Sequence, residues 1–354
     1  MAPANAGEPL DHMSMTSDAG AFAASVRRDP ALETTVILLS YTDSTDPARS
    51  ITVGVAPDLG SNMFRFRVGE HDLILCDPAL LKRMDFTGAF VLWPLPNRVR
   101  DKRYTYRGRT YSLEDVHRPQ GNSVLIHGLV FDRPWRHEAP ALTPDGIAVT
   151  THVDITPESP HYHAYPFESR LSLTYTLTRA GVSVTYAVHN RGTNTLPYGF
   201  ALHPYFATLS GPEDTLVGIP AAAVMEADDE LLPTGRVLEV DGVMYAMFDL
   251  RAPVPVGHLK LDHVYTRLNP DAGAVIDYRG QGLRLRLSAT DDFTHMVIYT
   301  LGDGPYLCLE NQTCATDAVN LADKGLADMA HLLEAQPGET RTGAIHYTID
   351  HVAR

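Results

Sequence analysis

Residues 171–189 read LSLTYTLTRAGVSVTYAVH, and this stretch decides the fold prediction. Leucine or tyrosine stands at every second position of residues 171–177, with serine or threonine between them. After Gly181, valine and tyrosine repeat the same spacing over residues 182–188. A period of two is typical of strands with one buried face, and a short glycine-containing loop between two such runs predicts an antiparallel hairpin.

The same period recurs on both sides of the hairpin, whereas helical patterns are few. Helices are expected only around Pro78–Met84 and Leu321–Leu333. Many short strands with few helices predict an all-β sandwich or barrel rather than alternating strands and helices. The strand-like runs are residues 35–40, 51–56, 63–68, 73–76, 283–287 and 345–349.

Composition limits the classes of protein that this chain can belong to. A net charge of −14 over 354 residues argues against nucleic acid as a partner, and no apolar run is long enough for a membrane helix. Three cysteines without a CxxC pair favour a reduced compartment. Residues 1–30 lack both an apolar pattern and a secretory signal, so we expect a flexible tail. Residues 31–354 are predicted to form a single domain of a cytoplasmic protein.

Residues 199–206, GFALHPYF, contain the first candidate for catalysis. Residues 195–201 predict a strand, and Pro204 is expected to end it because proline cannot continue a sheet ladder. His203 should therefore stand at the end of a strand beside Tyr205 and Phe206. A rigidly held imidazole next to aromatic rings suits proton transfer to a small molecule. A histidine that merely caps a strand is the alternative.

Four further stretches carry polar residues next to apolar runs. Asn97–Arg98 offers an amide and a guanidinium for vicinal hydroxyls, or an ordinary turn. His127 ends an apolar run before a glycine, and could equally be a core histidine. Asp262 could accept hydrogen bonds from a sugar or close a turn. Glu310 follows the apolar residues 306–309, where burial would raise its pKa towards that of a useful base, unless solvent reaches it.

Taken together, these residues resemble the aldose 1-epimerase (galactose mutarotase) family. The resemblance spans residue 35 to the C-terminus. Its most specific motifs are PNRVRDKRYTYRGRTYSL at 96–113, IHG at 126–128, LHPYF at 202–206 and CLENQTCATDA at 308–318.

The resemblance implies a large antiparallel β-sandwich that holds a sugar in a cleft of one sheet. It implies that Glu310 is the general base on the C1 hydroxyl and that His203 is the general acid for the ring oxygen, with His127 helping to polarise that oxygen. The residues expected to bind the sugar are Asn97, Arg98, Tyr205 and Asp262. No metal or organic cofactor is expected, the partner is a small-molecule sugar, and the protein should be a monomer or homodimer.

One departure and three alternatives accompany this interpretation. The family often carries a glutamine in the strand before the glutamate, but residues 296–300 have none, so one sugar contact is expected to be missing. Arg98 and Arg100 keep a hexose-6-phosphate 1-epimerase open, although the acidic chain disfavours a phosphorylated substrate. A catalytically silent carbohydrate-binding protein is the second alternative. His161 and His163 have the spacing of a metal pair, which is the third.

Overall fold

The computed structural model describes residues 11–17, 20–117 and 123–352, with residues 11–17 described as backbone. Strands hold 50% of the residues and helices hold 11%, which confirms the prediction of an all-β protein. The first six strands pair in chain order as an antiparallel sheet. They are β1 (Asp11–Ser17), β2 (Gly20–Asp29), β3 (Thr34–Asp43), β4 (Ile51–Ala56), β5 (Asn62–Val68) and β6 (His71–Asp72).

The expectation of a flexible tail over residues 1–30 is wrong for residues 20–29. Strand β2 pairs with β3 along its whole length, and β1 pairs with β2. Phe22, Ala24 and Val26 are buried in the core. The alternation escapes notice in the sequence because alanine also occupies the opposite face of β2, so the two faces differ little in hydrophobicity. Residues 1–10 lie outside the described residues.

The remaining strands build two larger sheets and several short ribbons. Up to residue 207 they are β7 (Ala89–Leu92), β8 (Arg98–Val99), β9 (Arg103–Tyr106), β10 (Arg109–Ser112), β11 (Leu125–Ile126), β12 (Arg136–His137), β13 (Ala141–Thr143), β14 (Gly146–Ile155), β15 (Ser169–Thr178), β16 (Gly181–Asn190), β17 (Leu196–Tyr198) and β18 (Ala201–Ala207). The strands after residue 207 are β19 (Thr215–Gly218), β20 (Ala221–Ala227), β21 (Pro233–Glu239), β22 (Val254–Pro255), β23 (Asp262–Leu268), β24 (Ala274–Tyr278), β25 (Leu283–Ala289), β26 (His295–Thr300), β27 (Tyr306–Gln312), β28 (Leu333–Ala335) and β29 (Thr340–His351).

The helices of the described residues are short. The predicted helix near residue 78 is confirmed, but the one expected over Leu321–Leu333 is two helices, because Gly325 takes a left-handed φ of 83° after the first. The helices are α1 (Pro78–Lys82), α2 (Ala318–Asp323), α3 (Ala327–Ala330) and the 3₁₀ turns Pro47–Arg49, Pro57–Leu59, Arg100–Lys102, Val243–Phe248, Val256–His258 and Arg279–Gln281. Within the described ranges, no helix is long and apolar enough to cross a membrane.

The predicted hairpin is β15–β16, in the interior of a ten-stranded sheet. Its order is β12-β14-β15-β16-β29-β25-β24-β19-β22, with β13 also paired to β14. A seven-stranded antiparallel sheet runs β21-β20-β23-β26-β27-β18-β7. Tyr347 of the ten-stranded sheet contacts Phe66 on β5 and Phe206 on β18, with ring centroids 6.3 and 6.0 Å apart. The larger sheet therefore packs against both smaller ones.

Candidate active site

A cavity of about 210 Å³ lies over one face of the seven-stranded sheet. It brings together all seven residues that the sequence predicted for the site: Asn97, Arg98, His127, His203, Tyr205, Asp262 and Glu310. The other residues that line it are Phe86, Ile126, Val297, Tyr299 and Tyr306. These positions are separated by more than 200 residues of sequence, so the fold itself assembles the cavity.

Strand register places the two predicted proton carriers side by side. Strand β18 pairs with β27 at Ala201↔Gln312 and at Tyr205↔Cys308, and the same register puts His203 opposite Glu310. Directly opposite residues of an antiparallel pair have close side chains. Accordingly, His203 Nε2 lies 3.3 Å from Glu310 Oε1, and the two residues are only 6% and 2% exposed.

The expectation that Pro204 ends a strand is wrong, because His203 and Pro204 lie inside β18. The backbone N–H of Tyr205 donates to Gly88 O at 2.8 Å, so the N–H of each odd-numbered residue points towards β7. The nitrogen of Pro204, an even-numbered residue, therefore points towards β27. The residues between Ala201 and Tyr205 form no pairs with β27. Proline is tolerated where the ladder is already interrupted.

Two short paired segments hold the remaining polar residues above the sheet. Strand β8 pairs with β11, and the His127 backbone N–H donates to Asn97 O at 2.7 Å. His127 follows β11 with a left-handed φ of 64°. A Cβ on Gly128 would lie 2.5 Å from the carbonyl oxygen of Trp93, so only glycine fits beside that backbone.

Arg98 is held by two partners at the rim of the cavity. Its guanidinium donates to Asn97 Oδ1 at 2.9 Å and to Asp262 Oδ2 at 3.4 Å. Asp262 is the first residue of β23 and keeps 28% of its side chain exposed, compared with 17% for Arg98. The carboxylate and the guanidinium both remain open to hydroxyl groups, while each largely balances the charge of the other.

Aromatic rings enclose the His203 imidazole. Phe90 and Tyr205 lie nearly parallel to it, with centroids 4.7 and 5.0 Å away and interplanar angles of 16°. The ring of His127 stands edge-on to it at 5.0 Å. Such packing fixes the orientation of an imidazole and removes water from it.

Burial shifts the pKa values of both proton carriers towards their neutral forms. It raises the pKa of Glu310 well above its ordinary value, with a hydrogen bond from Gln312 opposing the shift. Burial, together with the smaller effect of the positive charge of Arg98, lowers the pKa of His203 to about 3. A protonated carboxyl can donate to a neutral imidazole, so the pair can share one proton across the 3.3 Å contact.

The raised pKa of Glu310 predicts that Glu310→Gln stabilises the protein at alkaline pH. Above the ordinary glutamate pKa, the unfolded chain loses a proton that the folded protein keeps, so wild-type stability falls as pH rises. Glutamine has no such loss. Relative to the wild type, the variant should gain about 1.4 kcal/mol in unfolding free energy at pH 8 for each unit by which the pKa of Glu310 is higher in the folded than in the unfolded protein. Near pH 4.5 the gain should be small.

Chemical denaturation of both proteins between pH 4.5 and pH 8 measures this difference. His203, with its lowered pKa, makes stability rise with pH between about 3 and 6.5 in both proteins, so its contribution largely cancels. The exposed Glu114→Gln provides the control and should show a pH-independent difference. A constant difference for Glu310→Gln as well would mean that Glu310 is ionised in the folded protein.

Sequence reasoning missed several residues that the structure adds to the site. Tyr306 lies an even number of residues from Glu310 on β27, so both side chains are on the same face of that strand. Tyr299 and Val297 lie on the neighbouring strand β26. Counting in twos from Glu310 would have found Tyr306. Val297 stands opposite Glu310 in the strand where a glutamine was expected, so an apolar side chain lines the cavity there. Phe86 comes from the loop between α1 and β7, and no sequence signal marks it.

His161 and His163 do not join this cavity. They lie in a turn, with ring centroids 6.5 Å apart. His163 Nε2 is 3.4 Å from Asp115 Oδ2. Among the described residues, no three histidine, cysteine, aspartate or glutamate side chains are grouped as they would be to hold a metal ion.

Solved structures with the same fold define the class of protein. A galactose mutarotase-like protein of Clostridium acetobutylicum matches with a TM-score of 0.79 over 93% of this chain and 98% of that one, at 21% identity. Galactose 1-epimerase of Lactobacillus acidophilus matches with a TM-score of 0.71 over 97% and 100%, at 16% identity. The fold is therefore that of the galactose mutarotase-like β-sandwich proteins.

Sequence comparisons establish the family. The uncharacterized protein YihR of Escherichia coli K12 is 28% identical over 65% of this chain and 71% of its own length. Galactose mutarotase of Rattus norvegicus is 30% identical over 52% of this chain, which spans about half (51%) of that relative. The profile of the aldose 1-epimerase family matches residues 50–348. This chain belongs to the aldose 1-epimerase family.

Proposed function

We propose that this protein is an aldose 1-epimerase that interconverts the α and β anomers of a free aldohexose such as glucose or galactose. The observation that carries the proposal is the 3.3 Å contact between His203 Nε2 and Glu310 Oε1 at the floor of a cavity rimmed by Asn97, Arg98 and Asp262. Two proton carriers beside a set of hydroxyl-binding groups are what anomer exchange needs. Relatives that are named galactose mutarotase also support the proposal.

The reaction moves two protons and leaves no net charge. A base takes the proton of the C1 hydroxyl, an acid protonates the ring oxygen, and the C1–O5 bond breaks to give the aldehyde. The carbonyl group rotates, and closure from the other face reverses both transfers. Glu310 serves as the base and His203 as the acid, with His127 next to the ring oxygen.

One shared proton is sufficient for this cycle. Moving it from Glu310 to His203 gives a carboxylate base and an imidazolium acid without changing the charge of the buried site. The hydrogen bond from Gln312 favours the carboxylate, and the positive charge of Arg98 offsets part of the opposing charge of Asp262. Sugar hydroxyls can also hydrogen-bond to the carboxylate once the substrate is bound. After ring closure, the pair returns to its starting form.

The charge of the cavity favours a neutral sugar over a hexose 6-phosphate. Arg98 is the basic residue in the lining of the cavity, and Asp262 already pairs with it. Arg100 instead donates to Asp228 at 2.8 Å and does not line the cavity. A phosphate group would therefore meet acidic side chains and a single guanidinium whose charge Asp262 already balances.

Polarimetry of freshly dissolved sugars tests the proposal. The protein should accelerate the decay of optical rotation of α-glucose or α-galactose, and should leave glucose 6-phosphate at its spontaneous rate. Acceleration with the phosphorylated sugar alone would favour the hexose-6-phosphate epimerase. Sugar binding by calorimetry, without acceleration for any aldose tested, would instead identify a catalytically silent carbohydrate-binding protein.

A further inference from the structure

Gln312 is a wholly buried polar residue directly behind the candidate active site. It lies two residues after Glu310 on β27, so both side chains leave the same face of the strand. Its Nε2 donates to Glu310 Oε2 at 3.3 Å. Gln312 does not line the cavity, and its side chain is flanked in register by His295 on β26 and Ala201 on β18.

Burying Gln312 destabilises the folded protein, so stability alone does not account for a glutamine at this position. Its Oε1 has no hydrogen-bond partner among the described residues, and an unsatisfied buried acceptor destabilises a fold. An apolar side chain of similar length would avoid that cost. The hydrogen bond that the glutamine does make is to Glu310 Oε2, whereas His203 contacts the other carboxylate oxygen, Oε1.

We propose that Gln312 is a positioning residue for Glu310, which holds Oε2 in place so that Oε1 faces His203 and the substrate. The inference rests on the proposed function. A carboxyl group tethered through one oxygen cannot rotate freely about its last side-chain bond. The amide N–H also stabilises the charge when Glu310 has given up its proton, because a hydrogen bond to an ionised group is stronger than one to a neutral group.

Other charged and titratable groups also face Glu310, and they stay in place when Gln312 is changed. They are His203 and Tyr205 on β18, Asp262 on β23, Arg98 on β8, Cys308 on β27 and Tyr347 on β29. A difference between the wild type and a Gln312 variant therefore reports the amide.

Gln312→Met tests the proposal because it keeps the length of the side chain and removes the donor. We expect a kcat lower by about ten- to a hundredfold, as for the loss of a hydrogen bond to a charged group. KM should stay unchanged, since Gln312 does not reach the sugar. The acidic limb of the kcat profile should move to higher pH, because Glu310 loses a contact that favours its ionised form. The exposed Gln336→Met is the matched control.

A second variant of Gln312, and a comparison with Glu310→Gln, distinguish failure of this inference from failure of the proposed function. Gln312→Leu also removes the donor but is shorter than methionine, and it is expected to lower kcat and shift the pH profile in the same direction, so it decides the matter where Gln312→Met does not fold. A wild-type kcat and pH profile in the variant that folds would overturn the role of Gln312. If Glu310→Gln is inactive while Gln312→Met is normal, only this inference fails; if Glu310→Gln keeps the wild-type rate, the proposed base and its positioning residue both fall.

Discussion

Glu310→Gln is expected to lower the maximal mutarotation rate by about 10²–10⁴-fold, the usual contribution of one general acid or base. Glutamine keeps the size and most of the hydrogen-bonding reach of the glutamate, but it cannot exchange a proton with the C1 hydroxyl. Because Glu310 is 2% exposed between His203 and Gln312, the amide should occupy the same space. The loss should therefore appear in kcat, with sugar binding largely retained.

Polarimetry gives the rate above the spontaneous background, and calorimetric titration of the sugar gives the binding. Glu114→Gln makes the same chemical change on an exposed residue and should leave both unchanged. A Glu310→Gln protein that keeps more than about a tenth of the wild-type rate would show that Glu310 is structural, since the expected loss is at least about a hundredfold. The base would then have to be sought at His127 or Asp262.

The fold could be predicted from alternation wherever the two faces of a strand differ in hydrophobicity. Strands β15 and β16 show this difference along their whole length, because leucine, tyrosine and valine face the core opposite serine and threonine. Strand β2 does not, because alanine stands on both of its faces, and pairing with β3 stabilises it instead. Local patterns cannot report a partner strand that supplies the missing stabilisation.

Seven members of the candidate site could be predicted, but their relative positions could not. Glu310 and His203 are 107 positions apart in the sequence, and only the register of β18 with β27 makes them neighbours. The motifs that carry the family resemblance contain six of the seven predicted residues that line the cavity, and Asp262 lies outside them. Gln312 lies inside one of those motifs, yet its role depends on the contact with Glu310 Oε2, which no spacing reveals.

His203→Asn is expected to lower kcat by a similar factor, about 10²–10⁴-fold. Asparagine can still donate a hydrogen bond in the space between Phe90 and Tyr205, but it cannot carry a proton to the ring oxygen. Binding should weaken slightly where the imidazole contacts the sugar. His163→Asn, in the turn outside the cavity, is the matched control and should keep the wild-type rate; a large loss there would favour the metal alternative.

The double variant Glu310→Gln, His203→Asn decides whether the two residues act as one unit. If a single proton is exchanged across their 3.3 Å contact, removing either residue stalls the same step. The double variant should then be little slower than the slower single variant, as is found for groups that work together. Losses that multiply would mean that Glu310 and His203 stabilise the transition state independently, and the shared-proton mechanism would have to be abandoned.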